Sequence, residues 1–160
     1  MSYYEIPKNP GNFSVANPKN LINENIRYIK QGFNQKSEVI VPEPIGTTIL
    51  AKDMIAGWIV REPTQPCVDL SDTAVNIYNT LGQTLNSSSN GDFGIKRGFY
   101  FDYAIYNEGT DTIIYQSGDA NVIFGIAPYF SIPSDAVVWF RASVTSTTGP
   151  TEIYINQLSN

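Results

Sequence analysis

The chain has 160 residues, enough for one domain of ordinary size with room for an extra arm. Hydrophobic residues make up 42% and aromatic residues 12%, so a sizeable core is available, while only 16% of residues are charged, against roughly 25% in an average soluble domain. The net charge of −5 and the lack of any Lys or Arg run exclude nucleic-acid binding through a basic footprint.

A surface short of charge is either covered by sister subunits or kept polar by Asn, Ser, Thr and Gln, which this chain also has. There is no histidine, so a Cys-His catalytic pair and any histidine-containing zinc site are excluded. The single cysteine, Cys67 between Pro66 and Val68, excludes an intrachain disulfide and reads as a small buried thiol. Met1 to Pro7 lacks the basic and apolar regions of a signal peptide, and no apolar run reaches the length of a membrane span. Assembly in a reducing cytoplasm is expected.

Residues 1–45 differ from the rest. Asn9, Asn12, Asn17, Asn20, Asn23, Asn25 and Asn34, with Pro7, Pro10, Pro18, Pro42 and Pro44, forbid long regular elements. A short helix is possible over 20–31, where Leu21, Ile22, Asn25, Ile26 and Ile29 have helical spacing and Asn20 can cap. Tyr3, Tyr4, Phe13, Tyr28 and Phe33 are too many aromatics for a solvated tail, so an arm that lies on another surface is expected. Its candidate partner-binding residues are Tyr3, Tyr4, Phe13, Ile26, Tyr28, Ile29 and Phe33.

Strand signals follow at Glu38–Val41, Thr47–Ala51 and Ile55–Arg61, and Glu62 to Pro66 breaks the pattern. Residues 71–82 are the one predicted helix in the remainder. Ser71 or Asp72 caps it, Ala74, Ile77, Tyr78 and Leu81 share a face, and Gly82 stops it. Residues 83–96 read as a polar loop. In Gly98–Tyr106 the side chains alternate. Phe99, Phe101, Tyr103 and Ile105 fall on one face; Gly98, Tyr100, Asp102, Ala104 and Tyr106 fall on the other. Further strands are expected near 112–115, 121–126, 129–132, 136–144 and 152–158. Eight or nine short strands with Gly, Pro or Asn at the joints indicate an all-β sandwich or barrel. Little strand-helix alternation argues against a parallel sheet.

Candidate chemistry is sparse. Asp69 and Asp72 precede the predicted helix, where a divalent cation is one reading and complementing the helix dipole the stronger one. Asp92, Asp111 and Asp119 lie at turns, where bonding to backbone explains them. Asp102, alone between Phe101 and Tyr103, is expected on the polar face of its strand or at a subunit seam. Two opposed glycosidase carboxylates cannot be placed. Gly91 to Lys96 lacks the Gly-Lys-Ser/Thr ending of a phosphate loop. Tyr100, Tyr106, Tyr115, Tyr129, Trp58 and Trp139 read as core or interface rings, with a sugar-stacking face as the alternative. No cofactor, metal or catalytic residue is expected.

The stretch from Ile55 to Leu158 resembles the single jelly-roll at the C-terminal ends of fibre, spike, minor-capsid and collagen-like proteins of large DNA viruses and some phages. The resemblance is carried by Gly57-Trp58-Ile59-Val60-Arg61 and the helix in Thr73–Tyr78. It continues in Gly98–Asn107 ending in Asn107-Glu108-Gly109, in Asp111–Ile114, and in Asn121–Gly125. The Pro133-Ser134-Asp135 turn, Val137–Arg141 and Glu152–Ile155 complete it. It implies an all-β fold: a single antiparallel jelly-roll sandwich over residues 46–160, with one short helix and the extended arm of residues 1–45. Many relatives carry a collagen-like stalk; this chain has the Asn/Pro-rich arm instead. The implied role is a non-enzymatic structural virion protein (minor capsid, vertex or spike component), assembled in the host cytoplasm. Its expected partners are itself, as a homotrimer or else a pentamer, and other capsid proteins. The alternative is a receptor- or glycan-binding fibre tip. Core or subunit-interface residues are expected to be Trp58, Phe99, Phe101, Tyr103, Ile105 and Trp139.

Overall fold

A computed structural model describes residues 37–85 and 95–158. The arm residues Tyr3, Tyr4, Phe13, Ile26, Tyr28, Ile29 and Phe33, the expected helix over 20–31, and Asp92 lie outside the described residues.

The order of elements is β1 (Ser37–Val41), β2 (Thr48–Ile49), α1 (Ala51–Ala56), β3 (Gly57–Arg61), β4 (Cys67–Ser71), α2 (Ala74–Leu85), β5 (Tyr100–Asn107), β6 (Ile113–Gln116), β7 (Val122–Phe124), β8 (Tyr129–Ile132), β9 (Ala136–Ser146) and β10 (Glu152–Gln157). They form an all-β sandwich: a six-stranded sheet ordered β1-β3-β5-β9-β10-β7 faces a four-stranded sheet ordered β2-β4-β6-β8. The end of the stretch read as arm belongs to this unit, because Glu38–Val41 alternates and β1 pairs with β3.

The expectation of a purely antiparallel sandwich is corrected. Of eight strand pairings among the described residues, five are parallel: β1 with β3, β3 with β5, β2 with β4, β4 with β6, and β7 with β10. The reason is the winding. From β1 to β6 the chain crosses to the opposite sheet after every strand, and each return lands beside its predecessor, running the same way. Three coils result, β1–β2, β3–β4 and β5–β6, with their crossovers stacked. Thr64 N–H donates to the Pro44 carbonyl (3.2 Å), Thr110 N–H to Pro63 (3.2 Å), and Glu108 N–H to Arg61 (2.8 Å). Glycine permits the approach: a Cβ at Gly46 would collide with the Val68 carbonyl, and one at Gly109 with Pro63. Strands β8 and β9 then pair antiparallel to β6 and β5 and close the sandwich.

Among the described residues two helices are present where one was expected. Thr47–Ala51 and Ile55 read as strand, yet α1 occupies Ala51–Ala56 and β2 shrinks to two residues. Its N-cap Leu50 offers no side-chain bond, and the Asp72 carboxylate, 21 residues away in sequence, accepts from Ala51 N–H instead (2.9 Å). At the other end Gly57 takes the left-handed conformation with φ 95° and its N–H caps Asp53 O. Helix α2 starts at Ala74, with the Thr73 hydroxyl accepting from Asn76 N–H (3.2 Å). It does not stop at Gly82, which is buried inside the helix; a glycine there costs about 1 kcal/mol without ending the helix.

The core lies between the sheets. Inward positions of β5 and β9 bring Phe101, Tyr103, Ile105, Phe140, Ala142 and Val144 against Ile113 and Tyr115 of β6 and Phe130 and Ile132 of β8, all buried. Phe140 is the hub, its ring centroid 5.4 Å from Tyr103, 5.3 Å from Tyr115 and 5.3 Å from Phe130.

Candidate functional site

The alternation that buries one side of β3, β5 and β9 sends the other side outward. Strand register then fixes the neighbours. Trp58, Ala104 and Trp139 form one cross-strand row; Val60, Tyr106 and Val137 form the next, with Ile40 of β1 at its margin; Asp102, Arg141 and Asn156 form a third; Tyr100, Ser143 and Tyr154 form a fourth. A side chain as small as Ala104 in the middle of the first row lets the flanking indoles lean together. Their centroids are 6.0 Å apart with planes at 64°, and Ala104 beneath is fully buried. Tyr106 stands 6.5 Å from Trp58 and donates its hydroxyl to Asp135 (3.0 Å). That bond to a carboxylate pushes the Tyr106 phenol up from its ordinary pKa.

On the outward positions of β3, β5 and β9 the only charged residues are Asp102 and Arg141, and they neutralise each other; Glu152 adds one carboxylate at the start of β10. The guanidinium grips the carboxylate in two-pronged fashion at 2.7 and 2.9 Å and lies 4.1 Å over the Tyr100 ring. The bond to Asp102 holds the Arg141 pKa above its ordinary value. The face is therefore a broad, half-buried aromatic surface, suited to burial against another apolar surface or to stacking on planar ligands.

The sequence-derived residues divide between this face and the core. Trp58 and Trp139 lie on the outer face, half-buried. Phe101, Tyr103 and Ile105 point into the core, and Phe99 sits half-buried just before β5. Of the rings considered for sugar stacking, Tyr100, Tyr106, Trp58 and Trp139 share the outer face. Tyr115 is in the core, its hydroxyl 3.0 Å from that of Tyr103, and Tyr129 is exposed on the outside of the other sheet.

The carboxylates before α2 are engaged within the fold. Asp72 accepts from Ala51 N–H, from Thr73 N–H (2.8 Å) and from the Asn76 amide (2.7 Å). Asp119 accepts from Ala74 N–H (3.1 Å) and from Asn121 and Val122 N–H. Asp69 meets a residue that sequence reasoning missed, Arg61. Both are fully buried, joined at 2.7 and 3.0 Å, and the guanidinium also donates to the carbonyls of Val41 (2.6 Å), Glu43 (2.7 Å) and Ile45 (3.0 Å). The signal was present: Arg61 has the inward parity of Ile59. Asn107, paired in register with Arg61, is likewise buried and donates to the Asp111 and Ile132 carbonyls. Burial, with Asp69 nearby, pushes the Cys67 thiol up, away from the reactive thiolate. Among the described residues no group of three His, Cys, Asp or Glu could hold a metal ion, and no helix is long and apolar enough to cross a membrane.

Comparison with family models, with curated proteins and with solved structures found no match to this chain.

Proposed function

We propose that this chain is a structural assembly subunit, a virion component of minor-capsid, vertex or spike type. It joins copies of itself through its sandwich and docks on neighbouring proteins through its N-terminal arm. The observation that carries the proposal is the outer face of the six-stranded sheet. Trp58, Trp139, Tyr106, Tyr100 and Tyr154 spread there over four strands with one self-neutralised ion pair among them. A face with this composition gains from losing water, at roughly 25 cal/mol per Å2 of apolar area, and Tyr and Trp are the residues that interfaces favour. The virion assignment and the relationship to the viral jelly-roll rest on the strand rhythm from Trp58 to Ile155. The parallel pairings differ from an antiparallel jelly-roll, so the surface carries more of the argument than the topology.

Light scattering behind a sizing column tests the proposal on the full chain. A trimer or pentamer that dissociates when Trp58 and Trp139 are both changed to Ser, with the far-ultraviolet spectrum unchanged, is the expected result. A monomer at every concentration overturns self-assembly. The same rings would serve a glycan-binding tip. Binding on a glycan array that is lost in Trp139→Ala, with the mass unchanged, moves the reading there.

A further inference from the structure

Among the described residues each sheet has two edge strands, β1 and β7 in the larger, β2 and β8 in the smaller. The two pairs of edges are built differently. Beside β1 and β2, Glu38, Pro42, Glu43 and Pro44 are exposed, the charge and proline with which globular sheets blunt an edge. Beside β7 and β8, residues 120–134 carry no charged side chain at all. Eight large hydrophobic side chains are exposed among the described residues, and three fall in this stretch: Ile123 at 41%, Ile126 at 100% and Tyr129 at 47%. The other five, Ile40, Ile45, Leu50, Val68 and Val75, each lie within three residues of a charged one in the sequence.

This corner offers side chains and not backbone, because β7 is only three residues long and Pro128 and Pro133 bracket β8. It is anchored. Residues 125–128 cross from one sheet to the other, and the rings of Phe124 and Phe130 stack at the base with centroids 5.1 Å apart. Gly125 N–H donates to the Ile155 carbonyl (2.9 Å). The flanking acids are engaged, Asp119 by backbone N–H groups and Asp135 by Tyr106. A wholly exposed Ile126 on an anchored bend loses little conformational freedom when it is covered.

Symmetry says what covers it. A trimer or a pentamer closes through a heterologous interface, in which one patch of a copy meets a different patch of the next. The outer aromatic face is one such patch, and its ion pair, already neutralised, calls for no charge across the contact. The second patch must lie elsewhere on the same chain, point another way, and bring no charge to a molecule whose net charge is −5. The corner meets all three conditions. It lies at the β7 edge, beyond β9 and β10, and an edge points roughly at right angles to the face of its sheet. Resting on the self-assembly reading above, we propose that the Ile126 corner of one copy packs on the Trp58, Tyr106 and Trp139 face of the next, head to tail, until the ring closes. Ile126 is the centre of the contact, Ile123 and Tyr129 flank it, and these side chains lose water together with the rings.

The test is a mixing experiment on the full chain, read by light scattering behind a sizing column. Ile126→Glu loses the corner and keeps the face; Trp58→Ser with Trp139→Ser loses the face and keeps the corner. Because Ile126 is wholly exposed, Ile126→Glu should shift Tm by no more than a few degrees. Each variant alone should fall to the mass of a monomer. Mixed in equal amounts, they should form a particle of two copies, one of each, since one intact corner meets one intact face and the ring cannot close. An Ile126→Glu chain that keeps the wild-type mass overturns the proposal, while self-assembly through the face stands. Variants that stay monomeric when mixed overturn it too. A wild-type chain that is monomeric throughout overturns the self-assembly reading itself, and this proposal with it.

Discussion

One core is held together by charge at the coil end and by aromatic rings at the other. Between β3 and β4 the fully buried Arg61 joins Asp69 and ties down the carbonyl of Val41 at the end of β1 and those of Glu43 and Ile45 in the first crossover. Between β5, β9, β6, β7 and β8, the rings of Tyr103, Tyr115, Phe124, Phe130 and Phe140 pack with centroids 5.1 to 5.4 Å apart along the chain of contacts. The difference follows from what each end encloses. Stacked crossovers bury backbone carbonyls that turn away from any sheet partner, and only a multi-donor side chain satisfies several at once. Paired central strands have their backbone groups already matched, so apolar area suffices.

The comparison predicts an asymmetry in what mutation does. The largest effect is expected from Arg61→Ala, which strands a buried carboxylate and three carbonyls and should cost at least the 3–5 kcal/mol typical of a broken buried pair. Adding Asp69→Val should recover only part of that loss in chemical denaturation, because the carbonyls stay orphaned. Full recovery would show that the pair, and not the crossover, is what Arg61 serves.

Phe140→Ala at the aromatic end should cost about 3–5 kcal/mol, and Phe101→Ala slightly less. Trp139→Ala, on the outer face, should cost only about 1–2 kcal/mol, because part of that ring is already in water. Equal losses for Phe140 and Trp139 would mean that the outer face is as buried as the core. Tyr103→Phe should cost about 1 kcal/mol by breaking the hydroxyl pair with Tyr115.

The smallest effect is one of pH. Asp53 is buried on α1, and burial first, with Glu43 and Asp72 adding to it and Lys52 opposing, raises its pKa above 3.8. The folded state therefore favours the protonated form. Its stabilising contribution is present in acid and is lost as pH rises through the raised value. Asp53→Asn should raise Tm at neutral pH, with the gain shrinking towards about pH 4. A gain independent of pH would assign it to helix propensity instead.

Much of the sandwich was legible because alternation is a local signal. Phe101, Tyr103 and Ile105 declare their face within a single strand, and Tyr100, Asp102 and Tyr106 declare the other. Strand partners were not legible, since alternation says which way a side chain points and nothing about which strand lies beside it. Helix α1 was hidden because its first N–H is held by Asp72, far away in sequence, and nothing near Leu50 announces it. Arg61 was legible as a strand residue and illegible as a buried one. Its acceptors come from another coil and from β4. The aromatic face was half legible: sequence named its rings, and only register separated them from Tyr115 and Tyr129.

The tilt of Trp58 towards Trp139 over Ala104 has an optical consequence. Two indoles whose centroids lie 6.0 Å apart at 64° are close enough for their excited states to mix and are held in a chiral arrangement. The chain should therefore show a paired positive and negative band in its ultraviolet circular dichroism, and an emission that responds when either ring is covered. These are its only two tryptophans. Both lie on the face proposed to meet other subunits, so assembly can be followed from the protein's own light, with no label attached.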